Sequence, residues 1–262
     1  QVQSFLYRCR RRRNTSHMTE AKILRYLSHR LISQMLAAID RHLTGHIRFL
    51  APHIPFQGPM GTSAVGPVEL KTNWQHLDLS AVDSHPTRCP EASVADEMAA
   101  YIAHVRDEKD STGGVISAVA TGLAIGWGEP VFDKLQADLA KALMGINAVK
   151  GFEIGSGFAA AEMLGSQHND EIGANFETKT NNAGGIVGGL SNGAALELRV
   201  AFKPVATIGK EQNTMNSEGE LVTLAAKGRH DPCVVPRAVP IVEAMIKLVL
   251  ADHYLRNLKY TR

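Results

Sequence analysis

Cysteine is scarce: only Cys9, Cys89 and Cys233 occur, odd in number and far apart. That excludes a disulfide framework and the paired spacing of a zinc site, and it suits reduced thiols in an intracellular protein. Also missing is any apolar run near the ~18 residues a membrane span needs, so a soluble protein is expected. The first position lacks methionine, and Gln1 suggests a processed or partial chain. What is present is ordinary for a globular protein, with 262 residues, 44% apolar and 21% charged. That length allows one large domain or two modest ones.

The net charge of +2 conceals a division. Residues 1–62 carry ten Lys/Arg against Glu20 and Asp40, while the rest of the chain carries 18 basic and 24 acidic residues. Such asymmetry suggests two regions of different role. Arg10-Arg11-Arg12-Arg13 has little around it to bury, and residues 1–16 are expected to be disordered. The run reads either as a nucleic-acid or organelle-targeting arm or as a flexible charged terminus. Ile23, Leu24, Leu27, Leu31, Ile32, Met35, Leu36 and Ile39 recur at helical spacing and predict a helix over 19–43, packed on a core or lying on a membrane surface. Proline and glycine make 51–67 a connector. Residues 1–62 are therefore a basic, partly helical extension, and 63–262 a second region.

That second region reads as an α+β domain. After Pro90, Val94, Met98, Tyr101, Ile102 and Val105 share a helical face. Asp110-Ser111-Thr112-Gly113-Gly114 is turn chemistry, and a strand over 115–120 leaves it. A helix is predicted to open at Glu129-Pro130, burying Phe132, Leu135, Leu139 and Leu143. Further strands are expected at 147–154 and at 194–202, where Leu196, Leu198 and Val200 alternate with Glu197 and Arg199. Pro236 and Pro240 punctuate the entry to a last helix with a stripe of Ile241, Met245, Leu248, Val249 and Leu255.

Chemistry concentrates in few places. Lys227-Gly228-Arg229-His230-Asp231-Pro232-Cys233 holds a fixed cation, a titratable ring and a carboxylate between Gly228 and Pro232. It is placed to meet an anionic ligand, or it is a solvated turn whose Arg and Asp pair with each other. Five glycines fall between Gly184 and Gly193. They allow a ligand close approach to the backbone, or they make a hairpin connector. They match neither GxGxxG nor a Walker loop. Gly189-Leu190-Ser191-Asn192-Gly193 has the letters of a hydrolase elbow, but glycines precede the serine and a strand follows it, the wrong context. Gly155-Ser156-Gly157 and His168 stand as further candidates, the lone histidine being more simply a surface residue.

From about Arg88 to Arg256 these motifs closely resemble chorismate synthase. The resemblance rests on the run from Gly128-Glu129-Pro130-Val131-Phe132 to Leu135, the run from Ile146-Asn147-Ala148 to Gly155, Asn181-Asn182-Ala183-Gly184-Gly185, Phe202-Lys203-Pro204, and Gly228-Arg229-His230-Asp231-Pro232-Cys233-Val234, in family order. It implies an α+β fold with antiparallel sheets packed on helices, incomplete on the N-terminal side. The implied reaction turns 5-enolpyruvylshikimate 3-phosphate into chorismate and phosphate with reduced FMN, leaving NADPH open as the reductant. Electron density from the flavin and nearby cations suit phosphate departure, and a base suits proton loss.

By the same resemblance, Asn147, Ala148, Gly188, Lys203, Pro204, Val205, Ala206, Thr207 and Arg229 match flavin-contacting positions. Lys203 and Arg229 are suitable cations for a flavin phosphate or for substrate anions. Asp231 matches a catalytic carboxylate. A homotetramer in the cytoplasm or a plastid is implied, with neither membrane nor nucleic acid as a partner. The family's Gly-Glu-Ser-His, Arg-Arg-Arg-Pro-Gly and Gly-Gly-Gly-Arg-Ser-Ser-Ala-Arg segments are absent, and His17, His29 and His42 do not replace its proton-donating histidines. A truncated or mis-translated, non-catalytic relative that at most binds flavin is the competing reading.

Overall fold

Leu196, Leu198, Val200 and Phe202 are buried at every second position of one strand, while Glu197, Arg199 and Ala201 turn to its other side. Period-two alternation of this kind makes a strand with one packed face. It lies near the middle of the sheet that organises the domain. The computed structural model describes residues 60–174, 177–226, 228 and 230–260. The chain divides into two units, Gln1–Ile54 and Pro55–Arg262, the first of them outside the described residues. The helix expected over 19–43, the arginine run and the three early histidines fall there as well.

The described strands are β1 (Met60–Val65), β2 (Val68–Glu69), β3 (Gly114–Ala120), β4 (Val149–Ile154), β5 (Ile186–Val187), β6 (Leu190–Ser191), β7 (Leu196–Phe202), β8 (Gln212–Met215) and β9 (Leu221–Leu224). Among the described residues four α-helices accompany them: α1 (Ala92–Asp107), α2 (Leu135–Met144), the single turn α3 (Gly165–His168) and α4 (Val235–Asn257). Five strands form one sheet in the order β2-β1-β3-β7-β4, every neighbour antiparallel. β5 with β6, and β8 with β9, form separate hairpins. β1 corrects the expected connector: Met60, Thr62 and Val65 are buried in a paired strand. Among the described residues of that stretch only Gly66-Pro67 turns, with Gly66 at φ 52°.

α2 and α4 pack on each other, α2 against β4, and α4 against β1 and β3. α2 buries Leu135, Leu139 and Leu143, as their spacing predicts. It begins at Leu135, however, and Phe132 is 91% exposed. The preceding residues form a turn closed by the Glu129–Asp133 bridge, and Gly189 O accepts the Leu135 N–H at 2.9 Å. The distant glycine hairpin thus supplies an acceptor for the helix's first unpaired donor.

α4 also departs from its predicted stripe. Val242, Ile246, Leu250 and His253 are buried, whereas Leu248 and Leu255 are exposed. Both apolar stripes have helical spacing, so only the packing partner chooses between them. His253 Nε2 meets Asp138 Oδ2 at 3.0 Å, tying α4 to α2. Pro236 occupies the first turn of α4 and Pro240 lies inside it. Pro240 has no N–H for the carbonyl of Pro236. Arg88 Nη1 supplies the donor instead, at 2.9 Å.

α1 stops by a defined device. Asp110 N–H bonds Val105 O at 3.0 Å, Lys109 N–H bonds Arg106 O at 2.9 Å, and Lys109 takes φ 58°. This is the Schellman pairing, with lysine in the left-handed position usually held by glycine.

Candidate functional site

Antiparallel pairing brings three separate segments to one end of the sheet, and a parallel bridge brings a fourth. Gly114, the first residue of β3, faces Phe202, the last of β7, and Val149 at the start of β4 faces the same residue. Residues 147–148, 203–207 and 111–113 are therefore neighbours. Lys203 N–H donates to Ala148 O at 2.9 Å, and Ser111 Oγ donates to Val205 O at 2.6 Å. Gly113 lies so close that a Cβ there would sit 2.3 Å from Phe202 O. Ala148 holds φ 71°, a conformation that costs an alanine about 1 kcal/mol.

The fourth segment arrives through Thr112. Its N–H donates to Pro232 O at 2.8 Å, and it forms a parallel bridge with Cys233. His230 and Asp231 thereby come to the same end, ahead of the first turn of α4. Asp231 Oδ2 accepts a hydrogen bond from Arg237 Nη1 in that turn. Arg237 is 77% exposed at its side chain, so the pair is solvent-screened and readily exchanged. Asp231 does pair with an arginine, but with one six residues onward. Arg229 and Lys227 lie outside the described residues.

Lys203, Pro204, Ala206 and Thr207 are exposed and Val205 is half-buried. Among the described residues Lys203 has no ion-pair partner. Nearby, Lys210 donates to Asp110 at 2.8 Å and holds that carboxyl below its usual range. The end of the sheet therefore offers a free ammonium, a hydroxyl on Thr207, a carboxylate at Asp231, and backbone held close by Gly113. That donor set suits an anionic group beside a flat polar ring.

Gly188 is placed elsewhere. Gly188 and Gly189 have φ 63° and 97° and form the tight turn between β5 and β6. Positive φ at both positions is what a type I′ hairpin requires. Glu197 N–H bonds Gly184 O at 3.2 Å, so this hairpin belongs to the opening of β7. Lys203 follows its far end, about 20 Å away at some 3.4 Å per strand residue. The structure brings Asn147, Ala148, Lys203–Thr207 and Asp231 together and leaves Gly188 at the other end of the sheet.

The motifs around that hairpin are structural. Asp170 accepts from Asn182 N at 2.7 Å, Ala183 N at 2.9 Å and Thr180 Oγ1 at 2.7 Å. Partial burial pushes its carboxyl up, but those bonds and His168 outweigh burial and leave it below its ordinary value. Asn181 Nδ2 reaches Ala195 O and Glu197 Oε1, each at 2.8 Å, while its Oδ1 accepts from Gly185 N at 2.9 Å. Ser156 Oγ donates to Asn182 Oδ1 at 3.1 Å. Ser191 is 2% exposed, donates to Ala124 O at 2.5 Å and accepts from Trp127 N at 2.9 Å. Its hydroxyl is committed to the fold, which closes the hydrolase reading.

Cys89 and Cys233 are buried, and burial pushes both thiols up, leaving them unreactive. No cluster of three or more metal-ligating side chains occurs among the described residues, and none of their helices is long and apolar enough to cross a membrane. The sequence marked Ser111 and Thr112 only as turn residues and gave Arg88 and Arg237 no role. Their roles come from partners between 6 and 148 positions away, which no local pattern displays.

Fold and site together define an antiparallel α+β domain whose candidate ligand-binding end is built from the margins of three strands and one helix. The chorismate synthase family model matches residues 18–255. A chorismate synthase of Christiangramia forsetii is 54% identical over 195 residues, covering 74% of this chain and 55% of its relative. One from Synechococcus sp. RCC307 is 60% identical over 183 residues, covering 68% and 51%. A crystal structure of chorismate synthase superposes with a TM-score of 0.65 at 28% identity, over 79% of this chain and 59% of that one. The chain belongs to the chorismate synthase family. It spans about half the length of these curated relatives.

Proposed function

We propose that this chain converts 5-enolpyruvylshikimate 3-phosphate to chorismate and phosphate with reduced FMN held at the 147–148, 203–207 and 231 end of the sheet. The observation that carries the proposal is the convergence of those segments on the termini of β3, β4 and β7, although they lie up to 84 positions apart in sequence.

Bound flavin supplies the electron density that helps phosphate depart. Lys203 offers a permanent charge to an anionic group, and Thr207 a hydroxyl. The backbone carbonyl of Ala148 accepts the Lys203 N–H and sets the direction of the chain there. Asp231 is the proton acceptor, released from Arg237 as ligand enters, at small cost because the pair is exposed. Family membership supports the assignment, and so does the chemistry of this donor set.

The test is FMN binding by the full chain, followed by flavin fluorescence with the phosphate ester present, then chorismate formation under reducing conditions. Binding with turnover is the expected result. A folded chain that binds FMN without turnover would leave the non-catalytic reading, and one that binds no FMN would remove the site assignment too.

A further inference from the structure

Residues 203–210 leave the end of β7 in neither helix nor strand, and none of them is buried. Pro204 has no N–H to offer. A stretch with so little apolar contact keeps one conformation only where hydrogen bonds fix it, and otherwise it opens locally. Two of its bonds run to separate parts of the chain, from Lys203 N–H to Ala148 O at 2.9 Å and from Ala226 N–H to Ile208 O at 3.3 Å. Three others meet a single turn at the end of α1. Ser111 Oγ donates to Val205 O at 2.6 Å, Gly209 N–H to Lys109 O at 3.0 Å, and Lys210 Nζ to Asp110 Oδ2 at 2.8 Å.

That turn is fixed in its own right. The Schellman pairing sets Lys109, and Asp110 Oδ1 accepts the Ser111 N–H at 2.8 Å. The next residue, Thr112, is buried and holds Pro232 O on the other side of the site. Four consecutive residues therefore touch both the segment that carries Lys203 and Thr207 and the segment that carries Asp231. None of the four matches a flavin-contacting position. Of the three bonds from the turn to residues 203–210, only the one from Ser111 lands within 203–207. The Lys210–Asp110 pair is exposed and contributes little by itself.

We propose that Ser111 is a positioning residue, which acts through Val205 to hold residues 203–207 in the conformation that aims Lys203 and Thr207 at the phosphate end of the flavin. The inference rests on the FMN site proposed above. The Ser111 hydroxyl spends its one proton on Val205 O, so its effect reaches the ligand through the backbone. A segment ordered in advance spares binding the cost of ordering it. Loss of Ser111 should accordingly weaken the hold on the phosphate and leave the hold on the ring.

The test compares FMN with riboflavin, the same ring without the phosphate, by fluorescence titration of the full chain. Ser111→Ala should raise the Kd for FMN about tenfold, or about 1.4 kcal/mol, and change that for riboflavin by less than about twofold. Ser111→Thr keeps the hydroxyl and should return FMN binding to within about threefold of wild type. In the flavin-free chain, Ser111→Ala should speed amide exchange at Lys203 and Gly209 by at least about fivefold and leave Thr112 unchanged. Wild-type FMN affinity in Ser111→Ala overturns the inference alone. So does an equal loss of FMN and riboflavin, or unchanged exchange at Lys203 and Gly209. A wild-type chain that binds no FMN removes the FMN site and this inference together.

Discussion

Asp231 sits where the parallel bridge from Thr112 and the first turn of α4 meet, its carboxylate shared with an exposed arginine. If the proposed reaction holds, Asp231→Asn should lower turnover by at least about 10²-fold while FMN affinity changes little, because it removes the proposed proton acceptor and keeps the shape. Flavin titration and single-turnover chorismate formation separate the two effects; equal loss of both would make Asp231 a binding residue. Arg88 acts on the same helix from another side. Arg88→Met leaves the Pro236 carbonyl without its donor and should cost about 1–2 kcal/mol in urea unfolding. Asp170 has a folded-state pKa below the unfolded value near 3.9, so its contribution is present above that pH and lost as pH falls through the folded value. Asp170→Asn should therefore cost about 1 kcal/mol at pH 7 and progressively less below pH 4, a trend that urea midpoints measured across the range would show.

Among the elements, the glycine hairpin and α2 depend on one close approach. Gly128 has φ 137°, and a Cβ there would lie 2.3 Å from Gly189 O, the neighbour that also receives the Leu135 N–H. Gly128→Ala should destabilise by about 3 kcal/mol or more, since backbone and not a flexible side chain must yield. α4 tests which of its two stripes is buried. Ile246→Ala should cost about 2–4 kcal/mol, and Leu248→Ala under about 1 kcal/mol, because only the first leaves a cavity. Equal losses in thermal unfolding would mean that the helix is rotated from the face described.

Across the whole molecule, period-two alternation predicted β7 and period-four spacing predicted the buried face of α2. Those patterns are local, and each pointed to one partner surface. Where two local patterns competed, the sequence was silent: Met245 and Leu248 are as apolar as Val242 and Ile246, and contact with α2, β1 and β3 decided which stripe turned inward. Phe132 is apolar but exposed, since the Glu129–Asp133 bridge and Gly189 begin α2 three residues after it. The strand at 60–65 was hidden by flanking proline and glycine that read as a connector.

The sequence by itself determined the family, the sheet-and-helix class and the identity of the groups that carry charge or freedom, because motifs and periodicities are written in neighbouring residues. Tertiary structure alone decided which of those groups share a site. Antiparallel pairing set Ala148 against Lys203 and put Gly188 at the opposite end of β7, and a parallel bridge set Thr112 against Pro232 and Cys233. The physical reason is that register depends on burying one face of every strand at once, a condition no single segment contains.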